Sequence, residues 1–295
     1  MLTFEIWDVF TETRFSGNPL AIVHGAEGLS EAQMLVLARE FNLSETIFVL
    51  PPRDKAHTAR VRIFFPTAEI PFAGHPTIGC ALCLSGLAGD GPDRVQPLVL
   101  EEEAGLVPVT VTRQRGRLRA EFTAPVTPFA LPGRADPTLC AQALGVAAVG
   151  AAGHPAPSLW QGGPGFLYVP LPDLATLAAA GPREPFWSRL MAEAGVDSAW
   201  CYVPVEGGYR ARMFSPPAGI PEDPATGSAS AIFAAELHAR GLVAEGETPV
   251  AIAQGVEMGR PSEIGLTVVV KDGALDSVRV AGSAVPVSRG EIAVP

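Results

Sequence analysis

A ten-residue segment occurs twice in this chain, and the repeat constrains the fold more than any other feature. The first copy is Arg62-Ile-Phe64-Phe-Pro66-Thr-Ala68-Glu-Ile70-Pro71. The second is Arg212-Met-Phe214-Ser-Pro216-Pro-Ala218-Gly-Ile220-Pro221, matching without a gap at Arg, Phe, Pro, Ala, Ile and Pro. The first runs into Phe72-Ala-Gly74-His75-Pro76-Thr77 and the second into Glu222-Asp223-Pro-Ala-Thr226-Gly227-Ser228. Small apolar helical sequence follows each turn. A strand–turn–helix made twice predicts two similar domains, with chemistry expected where the two turns face each other.

The length of 295 residues is enough for two domains of ordinary size. Charged residues make up only 18% of the chain, so a compact globular protein is expected. The net charge is −10 with no cluster of Lys and Arg, which argues against nucleic acid and anionic membrane as partners. The opening Met1-Leu-Thr-Phe-Glu-Ile-Trp-Asp8 has no basic segment followed by an apolar one, so no secretory signal is expected. No apolar run approaches the roughly eighteen residues of a membrane span. The expected compartment is the cytoplasm.

The alternation of apolar residues predicts strands at 2–9, 20–23, 45–50, 58–65, 97–102, 107–112 and 118–123. A helix after Ser30 carries a capping-box signal, with Gln33 three residues on and Asn42 as its stop. Another helix covers 76–85. From about residue 124 a second half begins, with helices near 136–144 (Asp136-Pro137 as cap and first position), 172–180, 185–195 and 227–240. Strands are expected near 166–170, 198–204, 208–214, 248–252, 265–271 and 277–281, then a terminal strand. Many strands and few helices in two similar halves read as α+β. The expected domains are 1–123, joined by a returning C-terminal strand at about 284–295, and 124–283.

Each turn of the repeat precedes a helix, where free N–H groups and the dipole make an anion site suited to a small carboxylate. Three side chains could do acid/base work. Glu45 lies between the polar Asn42-Leu-Ser44 corner and an apolar strand, where burial would raise its pKa. His75 sits at a helix start, where the dipole favours a neutral imidazole. Asp223 occupies the other turn, aligned with Ala73 at the offset of the repeat, and could also simply cap its helix. Cys80 and Cys83 form a C-x-x-C inside small apolar sequence; no second cysteine or histidine pair completes a zinc site, and core packing is the preferred reading. No nucleotide-binding loop, serine-nucleophile motif or metal cluster is present, so no cofactor is expected.

Four stretches, Phe15-Ser-Gly-Asn18-Pro19-Leu-Ala, Asn42-Leu-Ser44-Glu45-Thr46, Phe72-Ala-Gly74-His75-Pro76-Thr77 and Glu222-Asp223-Pro-Ala-Thr226-Gly227-Ser228-Ala, resemble the PhzF family of phenazine-biosynthesis-like isomerases. They occur in family order over essentially the whole chain. The resemblance implies a diaminopimelate epimerase-like fold: two pseudo-symmetric domains, each a β-barrel-like sheet around a central helix. It also implies an active site between domains, no cofactor and often a homodimer. By motif match, the family's proton-moving glutamate is Glu45. Asn18, Ser44, Gly74, His75, Asp223, Gly227 and Ser228 correspond to residues around the substrate. Related epimerases use two cysteines, one at each helix start. None of Cys80, Cys83, Cys140 or Cys201 stands there, so a two-thiol racemisation is not available. The leading expectation is a cofactor-independent isomerase of a small carboxylate-bearing metabolite. The alternatives are an epimerase or racemase of a small amino or hydroxy acid, or a non-catalytic binding protein on the same fold.

Overall fold

The computed structural model describes residues 1–133 and 135–295, and the chain divides into two units. The first comprises Met1–Pro125, Gly259–Glu263 and Arg279–Pro295; the second comprises Val126–Met258 and Ile264–Val278. Among the described residues no helix is long and apolar enough to cross a membrane.

The first unit opens with β1 (Leu2–Val9), β2 (Asn18–His24), α1 (Glu31–Phe41) and β3 (Glu45–Leu50). The capping box of α1 forms as its sequence predicts: Gln33 N–H donates to Ser30 Oγ, and Gln33 Oε1 accepts from the Ser30 N–H. Asn42 closes the helix in the left-handed conformation, φ 51°. Next come β4 (Ala59–Phe64), the two-residue β5 (Glu69–Ile70), α2 (Gly74–Leu84), β6 (Arg94–Glu102), β7 (Gly105–Gln114) and β8 (Arg117–Thr123). Every residue of α2 from Gly74 to Leu82 is buried, so it is a central helix with no solvent face.

The second unit contains β9 (Phe129–Ala130), α3 (Pro137–Leu144), β10 (Ser158–Gln161), β11 (Gly165–Pro170), α4 (Leu174–Ala179) and α5 (Phe186–Ala194). Asp136 caps α3 through the N–H groups of Thr138 and Leu139, with Pro137 at the first position. There follow β12 (Ala199–Val205), β13 (Gly208–Ser215), a 3₁₀ turn at Pro216–Ala218, β14 (Ile220–Asp223), α6 (Gly227–Ala239), β15 (Gly246–Gln254), β16 (Ser262–Lys271) and β17 (Ala274–Gly282). The last strand, β18 (Ala284–Ile292), belongs to the first unit. Helix α6 is again buried nearly all round, and Phe233 on it packs among Tyr168, Trp200, Tyr202 and Tyr209 with ring centroids 4.7–5.8 Å apart.

The ladders make the doubling explicit. In the first unit β18–β1, β1–β2 and β3–β4 are antiparallel, β2–β3 and β4–β6 parallel, and β4–β5 antiparallel. In the second, β9–β10, β10–β11 and β12–β13 are antiparallel, β11–β12 and β13–β15 parallel, and β13–β14 antiparallel. The same six pairings in the same senses establish two pseudo-symmetric α+β domains. The Arg and Phe shared by the two copies make the same contacts: Arg62 ion-pairs with Glu69 and lies 5.3 Å over the Phe64 ring, while Arg212 ion-pairs with Glu222, just after the second copy, and lies 4.8 Å over Phe214.

Two features escape sequence reading. The four-residue β10 sits in a stretch broken by Pro and Gly, and β5 and β14 are too short to show a period. The alignment of Asp223 with Ala73 also needs correcting. The 3₁₀ turn at Pro216–Ala218 makes the second loop three residues longer, so Asp223 pairs with Met213 as Ile70 pairs with Ile63. Asp223 therefore corresponds to Ile70, and Ala73 to Thr226, the residue before each central helix.

Candidate functional site

Asn18, Glu45 and His75 come together in the first unit because three elements start side by side. Asn18 is the first residue of β2, Glu45 the first of β3, and β2 and β3 run parallel with Leu20 opposite Glu45. His75 is the second residue of α2. Its Nδ1 lies 3.3 Å from Glu45 Oε2 and 3.3 Å from Asn18 Nδ2, and all three side chains are buried. Burial pushes the His75 imidazole down to about 3, against a raising contribution from the Pro19 backbone. The ring is therefore neutral, as expected from sequence, but burial is the main cause rather than the helix dipole. A neutral imidazole and a carboxyl group at 3.3 Å can pass one proton between them or hold one on behalf of a third group. Gly74 begins α2 after Ala73, an extended residue (φ −149°) with no side-chain cap. Ser44, half-buried, precedes Glu45 directly.

Asp223, Gly227 and Ser228 lie in the second unit, at the equivalent turn. Asp223 Oδ2 accepts from Thr226 Oγ1 at 2.6 Å. Gln254, at the end of β15, braces this turn: its Nε2 donates to the Asp223 carbonyl (2.8 Å) and to Thr226 Oγ1 (2.9 Å), while its Oε1 accepts from the Thr226 N–H and Trp200 Nε1. Gly227 and Asp223 are buried, and Ser228 is half-buried at the second position of α6.

Glu102, the last residue of β6, was missed in the sequence because a run of three glutamates at a strand end reads as solvated. It is buried, and Thr77 in the first turn of α2 contacts its Oε1 at 2.7 Å. Thr77 Oγ1 also lies 2.7 Å from the Ala73 carbonyl, which can only accept. A hydroxyl has one proton, so when that proton goes to Ala73 the one shared with Glu102 must be the carboxyl's own. Burial agrees, pushing the Glu102 carboxyl up to about 8. Glu102 therefore acts as a protonated brace under the α2 start, as Gln254 does with an amide under α6.

Comparison with known proteins settles the family. The model for "Phenazine biosynthesis-like protein" matches residues 7–290. The chain belongs to that family. It is 40% identical to an uncharacterized isomerase of Mesorhizobium japonicum, covering 97% of each chain. It is 35% identical to a trans-2,3-dihydro-3-hydroxyanthranilate isomerase of Pseudomonas fluorescens over 99% of both. Among solved structures, a predicted epimerase of Pseudomonas aeruginosa superposes with a TM-score of 0.81 at 31% identity, covering 99% of each chain. This phenazine-biosynthesis-like protein is accordingly an enzyme of the isomerase class.

Proposed function

We propose that this isomerase moves a proton within a small carboxylate-bearing metabolite by general acid/base catalysis, without a cofactor, using Glu45. The observation that carries the reading is the buried Glu45 carboxyl, 3.3 Å from a His75 that burial keeps neutral. Glu45 takes a proton from carbon beside a conjugated or carboxylate-bearing group, and the electron pair left behind shifts along that system. The proton, now on Glu45, returns to the far end of the same system, so nothing is gained or lost overall. A neutral His75 and the amide of Asn18 position the carboxyl and the substrate rather than compete with it as cations. The N–H groups at the starts of α2 and α6, at Gly74 and Gly227, are suited to a carboxylate and to enolate-like charge. Asp223, Ser44 and Ser228 are assigned to anchoring the substrate.

The dihydrohydroxyanthranilate isomerase named among the relatives makes that cyclic substrate the first to try. Glu45→Gln keeps the shape and removes the base. Turnover should fall by about 10³-fold or more, while thermal stability stays close to the parent. Turnover within tenfold of the parent would remove Glu45 from the mechanism. Solvent deuterium should appear at the carbon that receives the proton. Deuterium at an inverted stereocentre, with loss of optical rotation, would instead assign epimerisation.

A further inference from the structure

We propose that Glu5, His24 and Cys83 form a binding site for a divalent cation of the zinc class, remote from Glu45 and His75. The three come from different elements: Glu5 from β1, His24 from the end of β2 and Cys83 from the last turn of α2. Glu5 Oε1, His24 Nε2 and Cys83 Sγ converge, at 3.3 Å (O to S), 3.5 Å (O to N) and 4.0 Å (S to N). Those edges leave a common centre about 2.1 Å from each atom, and a point slightly off their plane meets the roughly 2.0–2.3 Å bonds that zinc makes to O, N and S. The side chains of His24 and Glu5 are 28% and 34% exposed, which gives a cation an entry path and leaves room for water as fourth ligand.

A catalytic relay is the other use of such a trio, and the geometry opposes it. In a relay the acid holds one ring nitrogen while the thiol faces the other. Here the carboxylate and the sulfur approach the same atom, Nε2, and each other. That is how ligands surround a point. The second oxygen of Glu5 is fixed by Trp7 Nε1 at 3.0 Å, the kind of outer contact that orients a ligating carboxylate. The C-terminal end of α2 adds the negative end of its dipole.

The second unit supplies an independent argument. Stepping through the ladders from Arg62 and Arg212 brings Trp7 onto Trp160 and Glu5 onto Ser158; along the central helices Cys83 falls on Glu236. The Trp bond is repeated, Trp160 Nε1 donating to Ser158 Oγ at 2.9 Å. There, buried Glu236 accepts from Ser158 Oγ (2.6 Å), from the Tyr202 hydroxyl and from Arg240 Nε (2.9 Å). The second unit thus carries its own cation, Arg240. In the first unit α2 ends at Leu84, before the position that would match Arg240, and the residue that follows there in chain order is Leu87, not a cation. A dication bound by one carboxylate, one thiolate and one neutral imidazole is charge-balanced, with the thiol proton released to solvent. Cys83 lies nine residues after Gly74, about 13 Å along the helix, so such an ion would tie β1, β2 and α2 together without touching Glu45.

Titration of the reduced protein with Co²⁺ alone tests this. One equivalent per chain should bind, with a thiolate-to-cobalt band in the near ultraviolet and the strong visible absorption of a four-coordinate ion, both lost on adding Zn²⁺. Cys83→Ser should abolish the charge-transfer band, and His24→Gln should weaken binding at least tenfold. Cys80, Cys140 and Cys201 are buried, so a specific band points to Cys83. A spectrum of hydrated cobalt only, or a band that survives Cys83→Ser, overturns the proposal. Should Cys83→Ser misfold, His24→Gln decides: parental cobalt affinity in that variant overturns the site.

Discussion

The two units share a ladder, an Arg–carboxylate–Phe cluster and a buried central helix, yet differ at nearly every position where chemistry could reside. Glu45 of the first unit corresponds to Ser198 of the second, which donates to Ser215 Oγ at 2.7 Å. His75 corresponds to Ser228, and Glu102 to Gln254, each closing the strand parallel to the repeated one. Backbone pairing and the Arg–carboxylate pair, half-buried at Arg62 and buried at Arg212, fix the repeated frame. Glu45 and the neutral His75 occur in one copy only, so the doubled scaffold carries this pair asymmetrically.

The first way to break the comparison is at the helix cores. Phe233 stands where the first unit has Cys80, and four aromatic rings surround it. Phe233→Ala should cost about 3–5 kcal/mol by denaturant unfolding, whereas Cys80→Ala, which removes one buried atom, should cost about 1 kcal/mol. Equal losses would mean that the two helices are held by similar cores after all.

The next largest effect concerns the braces. Glu102→Gln gives the first unit the residue type of the second. The Glu102 carboxyl is held at about 8, above its ordinary 4.5, so its stabilising contribution is complete below pH 4.5 and declines as pH rises through about 8. His75 acts oppositely: its depressed value, about 3 against 6.5, means its contribution is complete above 6.5 and declines as pH falls toward 3. The parent should therefore lose stability on both sides of a maximum at mildly acidic pH. Glu102→Gln should differ little from it at pH 5 and be more stable by about 1–3 kcal/mol at pH 9. Melting curves across pH 4–9 check this; parallel parent and variant profiles would show that Glu102 titrates alike in the folded and unfolded chain.

How much of this was legible beforehand follows from where each signal lives. The repeat, the caps at Ser30 and Asp136 and the strand periods are local, and the elements they predict form within a few residues of the expected bounds. Glu45 and His75 stood out by motif, but their 3.3 Å approach depends on β2, β3 and α2 starting together, a fact of topology. Glu102 was invisible because Glu101, Glu102 and Glu103 look alike in sequence; only register shows that Glu102 meets Thr77 of α2 while Glu101 meets the Arg53 and Asp54 N–H groups. Cys83 was assigned to the core because its partners, Glu5 and His24, are 78 and 59 residues away in the chain. The offset of Asp223 failed for a similar reason, since a 3₁₀ turn inserted three residues that an ungapped match cannot see.

The smallest expected effect is the sharpest test of the equivalence itself. In the first unit the glycine is on the helix: a Cβ on Gly79 would sit 2.6 Å from Leu20 Cδ2 and 2.7 Å from Val9 Cγ2. In the second unit Ile232 occupies the Gly79 position and Gly162 that of Val9. The glycine is now on the sheet side, and a Cβ there would sit 2.9 Å from Ile232 Cγ1. Each unit thus fills one helix–sheet contact with one large and one small residue, in opposite order. Gly79→Ala gains about 1 kcal/mol of helix propensity but must displace fully buried Leu20 and Val9, so a net loss of about 1–2 kcal/mol is expected. Gly162→Ala should cost about 1 kcal/mol alone and nothing in an Ile232→Ala background, where its Cβ enters space already vacated. The resulting coupling energy, roughly 0.5–1.5 kcal/mol, measures the reciprocal fit directly. If Gly162→Ala costs the same with and without Ile232, the two contacts are not counterparts, and the ladder register that equates Glu5 with Ser158 and Cys83 with Glu236 loses its support in packing.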